Sequence, residues 1–270
     1  MSTQRVKTIS VVIPTYNVEP IIRRCLDALT WADEVIVVDM FSTDRTREIC
    51  ESYPNVRFFQ RRDYIYGNVN YGIEQARGDW IMRLDSDEVV TSELAREIQE
   101  KVLAREEDEN DAYIVPSRVF YFGHRIRHAV VADVKSGYHW RTILFKRGTA
   151  RYPVRTEHED FTFTGRRKGR LTQVYDHYTC STVEDWLHKV NYYTERDAER
   201  ADLSQVHLTW RTRLKVALSP LVGFFRLYFL RGGWRDGIWG LMVCLLNAQY
   251  YLIEQLKLWE RKLRGTSPGR

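Results

Sequence analysis

Apolar residues arrive in two rhythms along the first hundred positions. Ile9–Ile13 (ISVVI) is β-branched at every position but Ser10, the pattern of a buried strand, and Pro14 is expected to end it. Ile21, Ile22, Cys25, Leu26 and Leu29 then recur at helical spacing. Val35–Val38 repeats the strand pattern, Thr46–Glu51 reads as a short helix, and Val56–Phe59 as a third strand. Gly67–Ala76 predicts another helix and Trp80–Leu84 a fourth strand. Thr91 is placed to cap a helix whose apolar stripe is Leu94, Ile98 and Val102. Strands alternating with helices predict an α/β fold with a mostly parallel sheet and right-handed crossovers.

Past residue 110 the rhythm shortens. Tyr113–Pro116, Val119–Phe122, Thr142–Phe145 and Phe161–Phe163 read as strands of a mixed region, and Gly165-Arg-Arg-Lys-Gly169 as a basic turn. Ser181-Thr-Val-Glu184 has the spacing of a capping box and opens a helix with Trp186, Val190 and Tyr193 on one face. The run Ile238–Ile253 is almost wholly apolar, interrupted by Asn247 and Gln249, and is shorter than the roughly 20 residues a membrane span needs. This organisation divides linearly into a body, 1–203, whose halves are about 1–110 and 111–203, and a helical C-terminal region, 204–270.

Charge sharpens that division. The chain of 270 residues has net charge +5, yet residues 203–270 hold 11 Lys or Arg against 3 Asp or Glu, while residues 1–202 hold 30 against 33. Within 209–235 stand Arg211, Arg213, Lys215, Arg226, Arg231 and Arg235 with no acid, around Leu221-Val-Gly-Phe-Phe225 and Leu227-Tyr-Phe-Leu230. Cations beside aromatic and aliphatic runs suit a helix lying in an anionic membrane interface. Ordinary packing of a C-terminal helical hairpin is the alternative, and the apolar content argues against nucleic acid as a partner. Four scattered cysteines without a CxxC pair fit a reducing compartment, and the polar N-terminus lacks the apolar core of a signal peptide. The expected location is the cytoplasmic face of the inner membrane, held peripherally.

Candidate chemistry gathers at strand ends, where open α/β sheets bind ligands. Asp85-Ser-Asp87 follows the fourth predicted strand, and two carboxylates so spaced converge on a hard divalent cation such as Mg²⁺ or Mn²⁺. Pro14-Thr-Tyr-Asn17 follows the first strand, and Asp39 with Ser42-Thr-Asp44 the second. Asp39 is suited to accept from a base imide or amino edge, and Tyr16 to stack on the base. His124-Arg-Ile-Arg-His128 lacks the HExxH pattern, and Arg125, Arg127 or His128 is better read as touching an acceptor phosphate. No P-loop and no GxGxxG occurs.

IPTYN (13–17), VVD…STDRT (37–46), ARGDW (76–80) and LDSDE (84–88) together resemble glycosyltransferase family 2 on a GT-A fold. Phe145-Lys-Arg-Gly148, His158-Glu159, Gly233-Trp-Arg-Asp-Gly237 and Lys257-Leu-Trp259 resemble the subgroup that includes lipopolysaccharide core β-glucosyltransferases. The resemblance implies a Rossmann-like GT-A sheet with a mixed acceptor-side region, to which the charge pattern adds a C-terminal helical, membrane-associating tail. It implies inverting transfer from a nucleoside diphosphate sugar, UDP preferred, to a lipid-linked glycan. Pro14, Thr15, Asn17, Asp39 and Asp44 would line the nucleoside pocket, with Tyr16 and Asn70 beside them. Asp85 would hold the ribose or a metal water, and Asp87 the metal. Glu159, with Asp160 as its rival, would be the base, with His158 to orient it. Where many relatives have Asp-Ser-Gly-Ser this chain has Asp39-Met-Phe-Ser42, a valine follows Asn17, and Val69 stands where a basic residue often does. A polyprenyl-phosphate sugar synthase, or a non-catalytic nucleotide- or nucleic-acid-binding protein, are the competing readings.

Overall fold

A computed structural model describes residues 6–105, 107–131, 133–153 and 162–265. The elements run β1 (Ile9–Thr15), α1 (Glu19–Asp27), β2 (Glu34–Asp39), α2 (Thr46–Glu51), β3 (Val56–Gln60), α3 (Ile65–Gln75), β4 (Trp80–Arg83), β5 (Glu88–Val90) and α4 (Ser92–Ile98). Then follow β6 (Ala112–Tyr121), β7 (His124–Ile126), β8 (His139–Lys146), β9 (Ala150–Arg151), β10 (Thr162–Phe163), β11 (Lys168–Arg170) and β12 (Tyr175–Cys180). The helices α5 (Val183–Arg200), α6 (Trp210–Phe225), α7 (Gly237–Ala248) and α8 (Tyr250–Gly265) complete the chain. Two compact units form: Met1–Ser117 with Trp140–His177, and Arg118–His139 with Tyr178–Arg270. Compactness therefore divides the chain differently from the linear partition at residue 203.

In the first unit the strand order is β3-β2-β1-β4-β8-β6-β12-β5, with β11 beside β6. Strands β3, β2, β1 and β4 are parallel, and β8 lies antiparallel to β4 with Trp80 opposite Lys146. Alternation along β1 explains why apolar residues fill both of its faces. Ile9, Val11 and Ile13 join the core under α1 and α4, while Val12 joins Ile36, Val38, Val69 and Phe145 on the other face. Both faces are covered, and the one polar side chain inside the run, Ser10, is buried with its hydroxyl donating to Glu34 Oε1 at 2.5 Å. Gly72 lets α3 approach the sheet, since a Cβ there would meet Val12 Cγ1 at 2.5 Å.

Several expectations are corrected here. Pro14 does not end β1, which continues to Thr15. Leu84 N–H donates to Val12 O, so Val12 faces β4, and Pro14, two residues on, faces the same way beyond the end of that pairing. Its missing N–H costs no ladder bond. Tyr113–Pro116 and Val119–Tyr121 belong to the single strand β6, and Phe122 lies in the turn after it. The basic run 165–169 is not all turn, since Lys168–Arg170 pairs in parallel with Ala112–Ile114.

In the second unit β7 returns on the end of β6 through Phe122 and Gly123, both at positive φ, as a two-residue hairpin requires. Its core joins Val119, Ile126, Val131, Trp186, Val190, Val243 and Cys244. The cap of α5 lies one residue later than expected: Thr182 accepts from Asp185 N–H, and the Asp185 carboxylate accepts from Thr182 N–H. The run 238–253 divides into α7 and α8 at Gln249. Among the described residues no helix is long and apolar enough to cross a membrane.

Candidate active site

The strand order reverses between β1 and β4, which leave the centre of the parallel sheet in opposite crossover directions. Such a switch point opens a crevice at the carboxyl ends of the strands. Thr15 and Asp39 lie opposite each other at the ends of β1 and β2, and the Asp85–Asp87 turn follows β4.

Asp39 is the organiser of the β1–β2 side. It is completely buried, and its carboxylate accepts from Thr15 Oγ1 (3.1 Å), Ser42 N (2.8 Å), Ser42 Oγ (2.5 Å) and Gln60 Nε2 (3.3 Å). These four donors occupy a carboxylate's usual acceptor positions. Asn17, at φ 49°, donates its N–H to Ser42 Oγ and accepts from Thr43 N–H through Oδ1. Asp44 accepts from Glu19 N–H at the start of α1 and Thr46 N–H at the start of α2 (3.0 Å each). Burial opposes its ionisation, yet the bonds from Thr46 and Glu19 hold its pKa below the ordinary value. Phe41 stands where the resemblance expects glycine and keeps glycine's backbone, at φ 60°. Its exposed ring lies 5.3 Å from the Arg62 guanidinium, and the exposed Tyr16 is the other aromatic at these strand ends.

The β4 side is an ionic cluster. Arg83 grips Asp85 with two charge-assisted bonds, Nη2 to Oδ1 at 2.6 Å and Nη1 to Oδ2 at 2.9 Å. Arg141 of β8 donates to the buried Glu88 at 2.7 Å and stands 3.8 Å from Asp85. Glu88 also accepts from Asp85 N–H, which folds the turn back on itself. His177 of β12 is brought here by the antiparallel pairing of β12 with β5, where it lies opposite Glu88. Its Nε2 is 3.6 Å from Asp87 Oδ1. Burial works against the charged imidazole, but Asp87, with Glu88 and Asp85 behind it, raises its pKa above the ordinary value.

Asn70 joins neither cluster directly. It donates to Tyr152 O (2.7 Å) and accepts from Tyr152 N–H (2.9 Å), and the Tyr152 ring lies 5.8 Å from the Arg83 guanidinium. Asn70, Arg151, Tyr152, Pro153, Thr162 and Thr164 line a cavity of about 520 Å³. Glu157, His158, Glu159 and Asp160 lie outside the described residues, between Pro153 and Thr162 of that lining.

The model of the family described as "Glycosyl transferase family 2" matches residues 10–175, more than half of the chain. The chain belongs to glycosyltransferase family 2. The glycosyltransferase is 27% identical to the lipopolysaccharide core biosynthesis glycosyltransferase LpsC of Rhizobium meliloti (strain 1021), across 97% of this chain and 95% of that one. It is 25% identical to an uncharacterized glycosyltransferase of Rickettsia bellii (strain RML369-C), across 98% and 90%. Among solved structures it resembles the mannosyltransferase PcManGT of Pyrobaculum calidifontis in complex with GDP-Man and Mn²⁺, with TM-score 0.54 and 18% identity over 95% of this chain and 88% of that one. The fold is GT-A-like.

Three residues of the candidate site, Arg83, Arg141 and His177, are absent from the expectations read from the sequence. Arg83 had a local signal, since it lies two positions before Asp85 on the same strand end. Arg141 and His177 had none, because they arrive on strands from more than fifty residues away. Asp87 and His177 fit a divalent cation. Asp87 Oδ1 and His177 Nε2 stand 3.6 Å apart, about half an ångström wider than adjacent ligands on an octahedral ion with bonds of about 2.1 Å, so a bound cation would draw them together and hold the imidazole neutral; Asp85 is already matched by Arg83. No group of three or more His, Cys, Asp or Glu is gathered as a cage among the described residues, so phosphate and water oxygens would complete the shell.

Proposed function

We propose that this glycosyltransferase moves a sugar, with inversion, from a nucleoside diphosphate sugar to a hydroxyl of a lipid-linked envelope glycan of the lipopolysaccharide-core kind. The carrying observation is the Asp87–His177 pair at a sheet switch point whose other strand ends, Thr15, Asn17 and Asp39, are built into a braced loop. The near full-length similarity to a lipopolysaccharide core enzyme supports the acceptor class. The anionic cytoplasmic face of the inner membrane is the place this acceptor class implies.

Asp39 and Asp44 hold the loop between β2 and α2, and the exposed Tyr16 and Phe41 are left to meet the base and ribose. UDP is the preferred nucleotide on sequence resemblance, and GDP is its competitor in the test. Asp87 and His177 would hold Mg²⁺ or Mn²⁺, which supplies charge neutralisation for the departing diphosphate. Arg83 keeps Asp85 turned toward the strand end, and Arg141 does the same for Glu88. In the transfer, the acceptor oxygen bonds to the anomeric carbon as the bond from that carbon to the diphosphate oxygen breaks. The hydroxyl proton passes to the base, assigned to Glu159, with Asp160 as alternative. The cavity bordered by Tyr152, Pro153 and Thr162 is the space through which this acceptor would approach.

The test is transfer of labelled sugar from a panel of UDP- and GDP-sugars to a detergent extract of envelope lipids. Glu159→Gln is expected to lower kcat by about 10²–10⁴ with donor affinity unchanged. A near-normal Glu159→Gln beside a dead Asp160→Asn moves the base by one residue. Full activity in both variants overturns hydroxyl transfer and leaves a lipid phosphate as acceptor.

A further inference from the structure

Helix α6 continues without a break into a π-helical turn, Arg226–Leu230, and one side of it is apolar and open to solvent. Trp210, Leu214, Leu218, Leu221 and Phe225 recur at spacings of four, four, three and four, which places them on one stripe. Each is exposed, Trp210 and Leu221 to 69% and Phe225 to 54%. The opposite side is spoken for: Val216 is buried, and Gly223 lies against the Ala248 backbone of α7. The stripe is thus not the packing face of the helix. Monomeric soluble proteins seldom leave so continuous an apolar surface uncovered.

The charges around it say what covers it. Arg211, Lys215 and Arg226 follow the stripe along one border and Arg213 marks the other, and all four are exposed. None of them forms an ion pair with a described residue, and residues 209–235 contain no acid. A second copy of the chain is a poor occupant. A two-fold interface would set this face against itself and bring Arg211, Lys215 and Arg226 together with no carboxylate between them. Nucleic acid would satisfy the cations and strand the leucines and phenylalanines. An anionic lipid surface satisfies both, with the apolar stripe sunk about 5–10 Å into the acyl boundary and the cations at headgroup level. Trp210, at the start of the stripe, is the residue type that prefers that level.

We propose that this face of α6 is a membrane-insertion surface, on which the protein lies with the helix axis in the plane of an anionic bilayer. The proposal gives the lipid-linked acceptor reading its means of reaching the acceptor, and it rests on that reading only for its purpose.

The experiment is co-sedimentation of the full chain with vesicles of phosphatidylcholine alone and of phosphatidylcholine with one-third phosphatidylglycerol, at low and high salt. The parent is expected to pellet with the anionic vesicles only, and to keep a salt-resistant fraction. The charge reversal R211E/K215E/R226E is expected to weaken partitioning at low salt by at least roughly a hundredfold, at about a factor of five per cation. L218S/L221S/F225S is expected to keep salt-labile binding and lose the salt-resistant part. If the triple apolar variant fails to fold, Leu221→Cys carries an environment-sensitive fluorophore, since the four native cysteines are all buried. Its emission should shift to the blue on anionic vesicles. A parent that stays in the supernatant, an apolar variant that binds in high salt like the parent, an unshifted fluorophore, or a solution dimer broken by the apolar variant would each overturn the proposal. Vesicle failure with intact nucleoside diphosphate binding and transfer in detergent refutes this surface alone. Loss of nucleotide binding in the parent refutes the transferase reading instead.

Discussion

Replacing Arg83 by Met removes a guanidinium while keeping most of the aliphatic volume. The Arg83 side chain is 5% exposed and makes both of its bonds to one carboxylate, at 2.6 and 2.9 Å. Two hydrogen bonds between charged groups are worth about 1.5–3 kcal/mol each, an upper range of about 3–6 kcal/mol. Two features lower that figure. The Asp85 side chain is 29% exposed, so water compensates part of the loss, and Arg141 at 3.8 Å takes up part of the freed charge. The expected cost is about 2–4 kcal/mol, or roughly 5–15 °C in the thermal midpoint at about 2–4 °C per kcal/mol. Urea denaturation of the parent, Arg83→Met, Asp85→Asn and the double variant closes a cycle, and the coupling between the two positions should be about 2 kcal/mol. The reasoning is refuted if Arg83→Met lies within about 0.5 kcal/mol of the parent, or if the two single changes add without coupling.

Three further outcomes follow from particular residues. Phe41 adopts φ 60°, so Phe41→Gly should be more stable than Phe41→Ala by about 1 kcal/mol, read as the difference in urea midpoint, because alanine keeps the left-handed cost and glycine does not. Asp111 accepts from Lys146 Nζ (2.8 Å) and Arg166 N–H (2.7 Å), and the Lys146 bond leads in lowering its pKa from 3.8 to about 2. A carboxyl more acidic folded than unfolded stabilises fully above about pH 4 and loses that contribution as pH falls toward 2. Asp111→Asn should therefore melt below the parent at pH 7, with the gap closing between pH 4 and pH 2. Asn70→Ala removes both clamps on the Tyr152 backbone and should cost about 1–3 kcal/mol in stability, checked by the same denaturation series.

The parts of the molecule that could be read from sequence are those where local pattern and tertiary demand agree. Strands β1 and β2 carry runs of apolar residues, Val11–Ile13 and Val35–Val38, because both faces are covered, and the polar residues at their carboxyl ends, Thr15 and Asp39, with Asn17 just beyond, therefore stand out. The Asp85–Asp87 turn was visible for the same reason. His177 was not, because the strand that carries it meets β5 across nearly ninety residues and no local pattern records that pairing. The cap of α5 was misplaced by one residue because Ser181 with Glu184 and Thr182 with Asp185 satisfy the same spacing rule, and only the fold selects the second. Asn70 is expected beside the nucleoside pocket on family resemblance alone, and no local pattern in the sequence signals its partner. Its amide is spent on a backbone eighty-two residues away. The apolar stripe of α6 could be suspected from composition, but which of its sides is packed became plain only with α7 in place.

The central claim is that strand ends of this sheet bind a nucleoside diphosphate through a cation held by Asp87 and His177. Titration calorimetry of UDP and GDP into the parent, Asp87→Asn and His177→Ala, each with Mn²⁺ and with EDTA, tests it most directly. One of the two nucleotides should bind the parent in Mn²⁺, and its affinity should fall by about 10–100-fold or more in EDTA and in either variant, the scale of losing support around a metal. Equal affinity with and without Mn²⁺, unchanged in Asp87→Asn, would contradict the account.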